Sequence, residues 1–180
     1  MNPLRIIDAD YEAIGRNEAK GYLRITESDD DDEVNLFITA MRHKTETHLG
    51  KTLITSTWQY RLDCFDDIVL PMPPVQSITS IQYVDTDGIT QSFSDYQFDV
   101  NGRLMPSYGN SWPATRDQMN AVTITYIAGE SDILPDIKFA MLLWIGACDV
   151  AREDTTIGTI VTSIPENARD ILAPHRIINA

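Results

Sequence analysis

The stretch Asp29-Asp-Asp-Asp-Glu-Val-Asn-Leu-Phe-Ile-Thr-Ala-Met-Arg-His-Lys-Thr-Glu-Thr-His-Leu-Gly50-Lys-Thr-Leu-Ile-Thr-Ser-Thr-Trp-Gln-Tyr-Arg-Leu-Asp-Cys64 carries two different periodicities in succession. In its first half Val34, Phe37, Ile38, Met41, Thr45 and Leu49 recur at the three-and-four spacing of one helix face, and Gly50 stands where a left-handed closing residue belongs. This predicts a helix over about 29–49. In its second half Trp58, Tyr60, Leu62 and Cys64 alternate with Gln59, Arg61 and Asp63, the period-two pattern of a half-buried strand. Helix and strand patterns that follow one another as blocks predict an α+β fold.

Reading outward, Asn17-Glu-Ala-Lys-Gly-Tyr-Leu-Arg24 is a short helical segment upstream. Downstream, Tyr96, Phe98 and Val100 alternate with Gln97 and Asp99, and Val122, Ile124, Tyr126 and Ala128 alternate with threonines. Asp85-Thr-Asp-Gly88 lies between Ile81-Gln-Tyr-Val84 and Ile89-Thr-Gln-Ser-Phe93 and reads as a hairpin turn, glycine supplying the positive φ. Leu70-Pro-Met-Pro-Pro74 has too few amide donors for a sheet centre and reads as an edge or stiff connector. Residues 101–115 form a long irregular segment that contains Tyr108 and Trp112, a candidate interaction loop, although Trp112 also suits a cap on the core. From Pro135 a helix begins whose apolar residues, Ile137, Ala140, Met141, Trp144, Ala147, Cys148 and Ala151 with Leu142, Leu143 and Ile145 beside them, cover most of its circumference, which predicts burial on several sides. A flexible stretch over 154–163 and a short helix carrying Ile164, Ala168, Ile171 and Leu172 follow, and Pro174 ends it. The expected organisation is one domain with two lobes: helices in 1–50, antiparallel strands in 51–130, helices and a tail in 131–180.

The 180 residues hold 14 Lys and Arg against 27 Asp and Glu, a net charge of −13, which argues against a surface built to grip nucleic-acid phosphates. The start, Met1-Asn-Pro-Leu-Arg-Ile-Ile-Asp8, lacks the pattern of a secretory signal, and no apolar run reaches the ~18 residues of a membrane span, so a cytosolic protein is expected. Cys64 and Cys148 read as buried reduced thiols. The acidic run Glu27-Ser-Asp-Asp-Asp-Asp-Glu33 has no calcium-loop spacing and instead sets carboxylates at a helix start, with Arg42, His43, Lys44 and Lys51 towards the other end. Position twelve counted from Asp85 is Tyr96, so that loop is not a calcium site either. Of the three histidines, His43 and His48 lie about 140° apart on a helix and do not share a ligand face. No phosphate cradle, nucleophile elbow or zinc-protease motif is present, so no catalytic residue, metal or cofactor is expected.

Taken in order, Glu18-Ala-Lys20, Leu23-Arg-Ile25, Leu49-Gly50, Leu53-Ile-Thr55, Thr57-Trp58, Leu70-Pro-Met-Pro-Pro-Val-Gln-Ser-Ile-Thr-Ser-Ile81, Gly102-Arg-Leu-Met-Pro106, Ser111-Trp-Pro-Ala-Thr-Arg116, Asn120-Ala-Val-Thr-Ile-Thr-Tyr126 and Arg169-Asp-Ile-Leu-Ala-Pro-His-Arg176 resemble the phage head–tail connector (adaptor) family. The likeness runs over about 18–177 and is to the branch with an inserted β lobe, found in tailed phages, prophages and gene transfer agents. The resemblance implies a helical bundle of N- and C-terminal helices with an inserted antiparallel β lobe, and a structural virion protein of the neck, assembled in the host cytoplasm. It implies a homo-oligomeric ring under the portal protein, monomeric before assembly, that extends the DNA channel without specific DNA binding and offers a platform to the tail or a further head-completion protein. No membrane partner is implied.

By position, the resemblance assigns portal contact to the C-terminal segment, with Ile171, Leu172, Pro174, His175, Arg176 and Ile177 as candidate residues. Glu166 and Asp170 against Arg169 and Arg176 leave that segment neutral inside an acidic chain, and its apolar residues after a proline suit a tail that orders on a partner. Ile171 and Leu172 equally suit a helix closing its own core. Deleting 164–180 is expected to abolish portal capture while the fold survives. The alternative expectation is a monomeric β-lobed binding module for a carbohydrate or peptide, using the Tyr108–Trp112 loop.

Overall fold

Apolar alternation and helical spacing produce their elements in separate parts of the chain, and a computed structural model describes residues 3–26, 30–130, 132–154 and 166–177. The chain divides into two compact units: Met1–Ala9 with Ile54–Ser131, and Asp10–Leu53 with Asp132–Ala180.

The first unit is built of antiparallel strands: β1 Leu4–Ile7, β2 Ser56–Leu62, β3 Ile68–Val69, β4 Val75–Val84, β5 Thr90–Ser92, β6 Tyr96–Phe98, β7 Arg103–Pro106 and β8 Val122–Ala128. Five form one sheet in the order β1-β2-β8-β4-β5, and three form another in the order β3-β7-β6. Strand β8 shows the expected alternation: Val122, Ile124, Tyr126 and Ala128 are buried, and the residues between them are half-exposed. In register, Trp58 of β2 lies opposite Tyr126 and Tyr60 opposite Ile124, so the large residues of the two strands build one core face with Leu70, Ile81 and Leu104. Burying each such side chain contributes roughly 1.5–3 kcal/mol relative to exposure. The proline-rich connector is tied down by the Tyr126 hydroxyl, which donates to the Pro71 carbonyl at 2.6 Å. At the Asp85 turn, Gly88 has φ +85° and the Asp85 carboxylate accepts the amides of Asp87 and Ile89, as the hairpin reading expects.

Three expectations are corrected here. Cys64 is exposed, because β2 ends at Leu62 and the alternation stops with it. Phe98 and Val100 are exposed as well, since β6 is only three residues long and Val100 lies in the turn beyond it. Residues 4–7 form an edge strand of the larger sheet, so the N-terminal stretch is not wholly helical.

The second unit holds four α-helices among its described residues: α1 Arg16–Leu23, α2 Asp31–Leu49, α3 Pro135–Asp154 and α4 Glu166–Leu172, followed by a single 3-10 turn, Ala173–His175. The α+β class is therefore as the periodicity predicts. Helix α2 ends at Gly50 with φ +69°, its amide bonded back to Glu46, and α3 opens on Pro135. Ile14, Ala19, Val34, Ile38, Ile137 and Trp144 are fully or almost fully buried in this unit. Within it Arg42, 1% exposed, bonds the Glu12 carboxylate at 2.7 Å and lies 3.6 Å from Glu46, whose other oxygen accepts the Leu53 amide at 2.9 Å. Thr39 also donates to Glu12.

At the start of α2, Asp30 makes no side-chain cap bond, while Asp31 pairs with Arg16 at 2.8 Å and with Lys20. The bond from Lys20, then that from Arg16, holds the Asp31 carboxyl below its ordinary range. The acidic run thus complements the helix dipole and also ties α1 to α2. Its first residues, 27–29, lie outside the described residues, as do the expected flexible stretch beyond Asp154, Ile164, and the tail from 178.

Candidate functional site

The C-terminal segment is the candidate site, and its backbone is held at both ends. Helix α4 packs on α3 through Ala168 and Leu172, both fully buried, because the i, i+4 spacing places them on one face. Beyond the 3-10 turn, the Ile177 amide donates to the Leu49 carbonyl at 2.8 Å, over the closing turn of α2. A side chain on Gly50 would stand 3.3 Å from the Ile177 carbonyl oxygen, so glycine there serves both the left-handed turn and the passage of the C-terminal segment. His175 Nε2 lies 2.6 Å from Asp136 Oδ2 in the first turn of α3, and this bond is the main reason the Asp136 carboxyl sits below its ordinary range.

Of the six residues expected to meet a partner, Leu172 is fully buried and has no surface to offer; its role is to close the helical core. Ile171, His175 and Ile177 are half-buried, and Pro174 and Arg176 are exposed. Through Ile177 the segment is held by the chain's own contacts.

Sequence reasoning missed the neighbours of this segment on α2. The His48 ring meets Trp144 edge-on with centroids 6.2 Å apart, and Lys44 Nζ sits 4.6 Å from the centre of the Trp144 ring. Burial lowers the His48 pKa from its ordinary value, and the charges of Arg176 and then Arg169 lower it further. The i, i+4 spacing of Lys44 and His48 could have signalled a shared face, but their nearness to Arg169 and Arg176 spans more than 120 residues of sequence.

The structure separates the two residues of the candidate loop. Tyr108 is fully exposed at a turn closed by the Asn110 amide on Ser107, with Gly109 at φ +86°. Trp112 stacks on Phe65 at 4.6 Å, with only 5° between the rings, and lies 5.1 Å from Phe93. It is the cap on an aromatic cluster, so the two side chains do not form one binding platform. Among the described residues no group of His, Cys, Asp and Glu is placed to hold a metal ion, and no helix is long and apolar enough to cross a membrane.

A family comparison converts this α+β chain with a pinned C-terminal segment into a class: it is a viral structural protein of the phage head–tail connector class. The match is to the family of head completion proteins, it covers residues 12–178, and the chain belongs to that family. Solved structures agree on the fold. The chain superposes on a component of the virion of a native gene transfer agent particle with TM-score 0.77 at 17% identity, covering 100% of this chain and 97% of that one. Components of the neck of an empty particle solved with C6 symmetry and of a native particle solved with C12 symmetry give TM-scores of 0.76 and 0.67, each at 18% identity with the same coverage. No curated protein matches the sequence.

Proposed function

We propose that the chain is a head–tail adaptor of the virion neck, forming a homo-oligomeric ring beneath the portal that continues the DNA channel and presents a platform to the tail or to a further completion protein. The observation that carries this reading is membership of the head completion family across residues 12–178. The fold likeness to components of necks solved with sixfold and twelvefold symmetry supports a ring. In this reading the two units are the lobes of a single connector domain, N- and C-terminal helices forming a bundle and the strands an inserted lobe. The chain acts by shape and surface, not by catalysis. The surplus of acid, −13 in all, suits a wall past which DNA slides, since it repels phosphate. Assembly takes place in the host cytoplasm from monomers.

Portal contact is assigned to Ile171, Pro174, His175, Arg176 and Ile177, with Leu172 as the buried anchor behind them. Removing 164–180 would strip Ala168 and Leu172 from the core, so the informative truncation ends the chain at Leu172. The experiment mixes purified chain with portal rings and images them by electron microscopy. An added ring layer with the full chain, absent with the truncated one, is the expected result. Portal capture by the truncated chain would remove the assignment of Pro174 to Ile177, and no layer with either would remove the adaptor reading.

A further inference from the structure

Three cationic side chains, Lys44, Arg169 and Arg176, gather near His48. Lys44 and His48 rise from α2 onto Trp144, and the bond from Ile177 to Leu49 brings Arg176 beside the same end of α2. Arg169 comes from α4, which packs on α3. Arg169 and Arg176 are exposed, and Lys44 and His48 half-exposed. Two carboxylates of this unit are engaged elsewhere. Asp136 is engaged by His175, and Glu46 by Arg42 and the Leu53 amide. Among the described residues neither Glu166 nor Asp170 forms an ion pair with Arg169. Burial is the main cause of the lowered His48 pKa, and the charges of Arg176 and then Arg169 add to it.

Positive charges gathered at one place in a chain of net charge −13 offer a partner of opposite charge a surface that the acidic remainder does not. We infer that Lys44, Arg169 and Arg176, grouped around His48, form one cationic patch that docks on a carboxylate-rich protein surface of the portal, an inference that rests on the adaptor reading and names the chemistry of its partner. A protein surface fits better than nucleic acid for two reasons. Half-buried Ile171 and Ile177 and exposed Pro174 lie beside the arginines, and arginine mixed with apolar and aromatic groups is the composition of protein interfaces. The acidic remainder of the chain also repels a phosphate backbone.

The test measures capture of the full chain by portal rings for the wild type, R169E/R176E and R169Q/R176Q, at low salt and at about 0.5 M salt, where charges more than a few ångströms apart are screened. Expected are a loss of affinity of at least about tenfold on charge reversal, a smaller loss on neutralisation, and release of the wild type by salt. Both arginines are exposed, so thermal melts of the variants should match the wild type. If charge reversal perturbs folding, the Gln pair and the salt titration of the wild type decide the matter. Wild-type capture that is insensitive to salt and to both double variants overturns this inference and leaves the adaptor reading standing. Absence of wild-type capture overturns both. Retention of double-stranded DNA by the wild type, lost in R169E/R176E, overturns the inference in favour of a nucleic-acid partner.

Discussion

Arg42 is a charge almost sealed from water and faced by Glu12 and Glu46; Thr39 shares a Glu12 oxygen with it, and the Leu53 amide takes the other Glu46 oxygen. Arg42→Ala removes the cation that faces both carboxylates and should cost about 3 kcal/mol, read from denaturant unfolding. At the loop, Trp112→Ala should cost roughly 2 kcal/mol through lost stacking on Phe65, while Tyr108→Ala should stay within about 0.5 kcal/mol; equal effects would deny the aromatic cap. His48 sets a pH dependence of opposite sign to a salt-bridged histidine. Its folded pKa lies below the ordinary 6.5, so the unfolded chain takes up the proton first as pH falls. Stability should therefore be full above about pH 6.5, decline as pH drops through it, and level off below the folded value; His48→Gln should flatten that segment of the profile.

Elements were legible in the sequence wherever one face had to be buried. The spacing of Val34 to Leu49 and the alternation of Val122 to Ala128 each reflect a single packed face, and α2 and β8 follow from them. Strand β1 was not legible: four residues with three exposed apolar side chains, Leu4, Ile6 and Ile7, carry no alternation. It is fixed by pairing with β2 and by Arg5, which lies 4.6 Å over Trp58 and is bonded to Asp8, both interactions invisible before the chain is folded. Nor could the cationic patch be read, because its parts come from α2, α4 and the segment after it. Two glycines test how closely elements approach. Gly129 has φ +143°, and an added Cβ would meet the Thr55 amide nitrogen at 2.4 Å, whereas at Gly50 the nearest atom is 3.3 Å away. Gly129→Ala should cost at least about 2 kcal/mol and Gly50→Ala about 1 kcal/mol, compared by thermal melts.

For the molecule as a whole, charge and chain organisation point the same way. A chain of net charge −13 in two compact units, one of strands and one of helices, has surfaces to offer to neighbours, and its family supplies completion proteins to phage heads. The segment resemblance read from sequence and the family match across residues 12–178 converge because both follow the order of many short packed elements and not a reactive motif. The most direct measurement is a cryo-EM reconstruction of the neck of purified particles made with this chain. The account predicts a ring of copies of this fold against the portal, with Pro174 to Ile177 at the portal side. Particles that carry a complete, tail-bearing neck without this chain would contradict it.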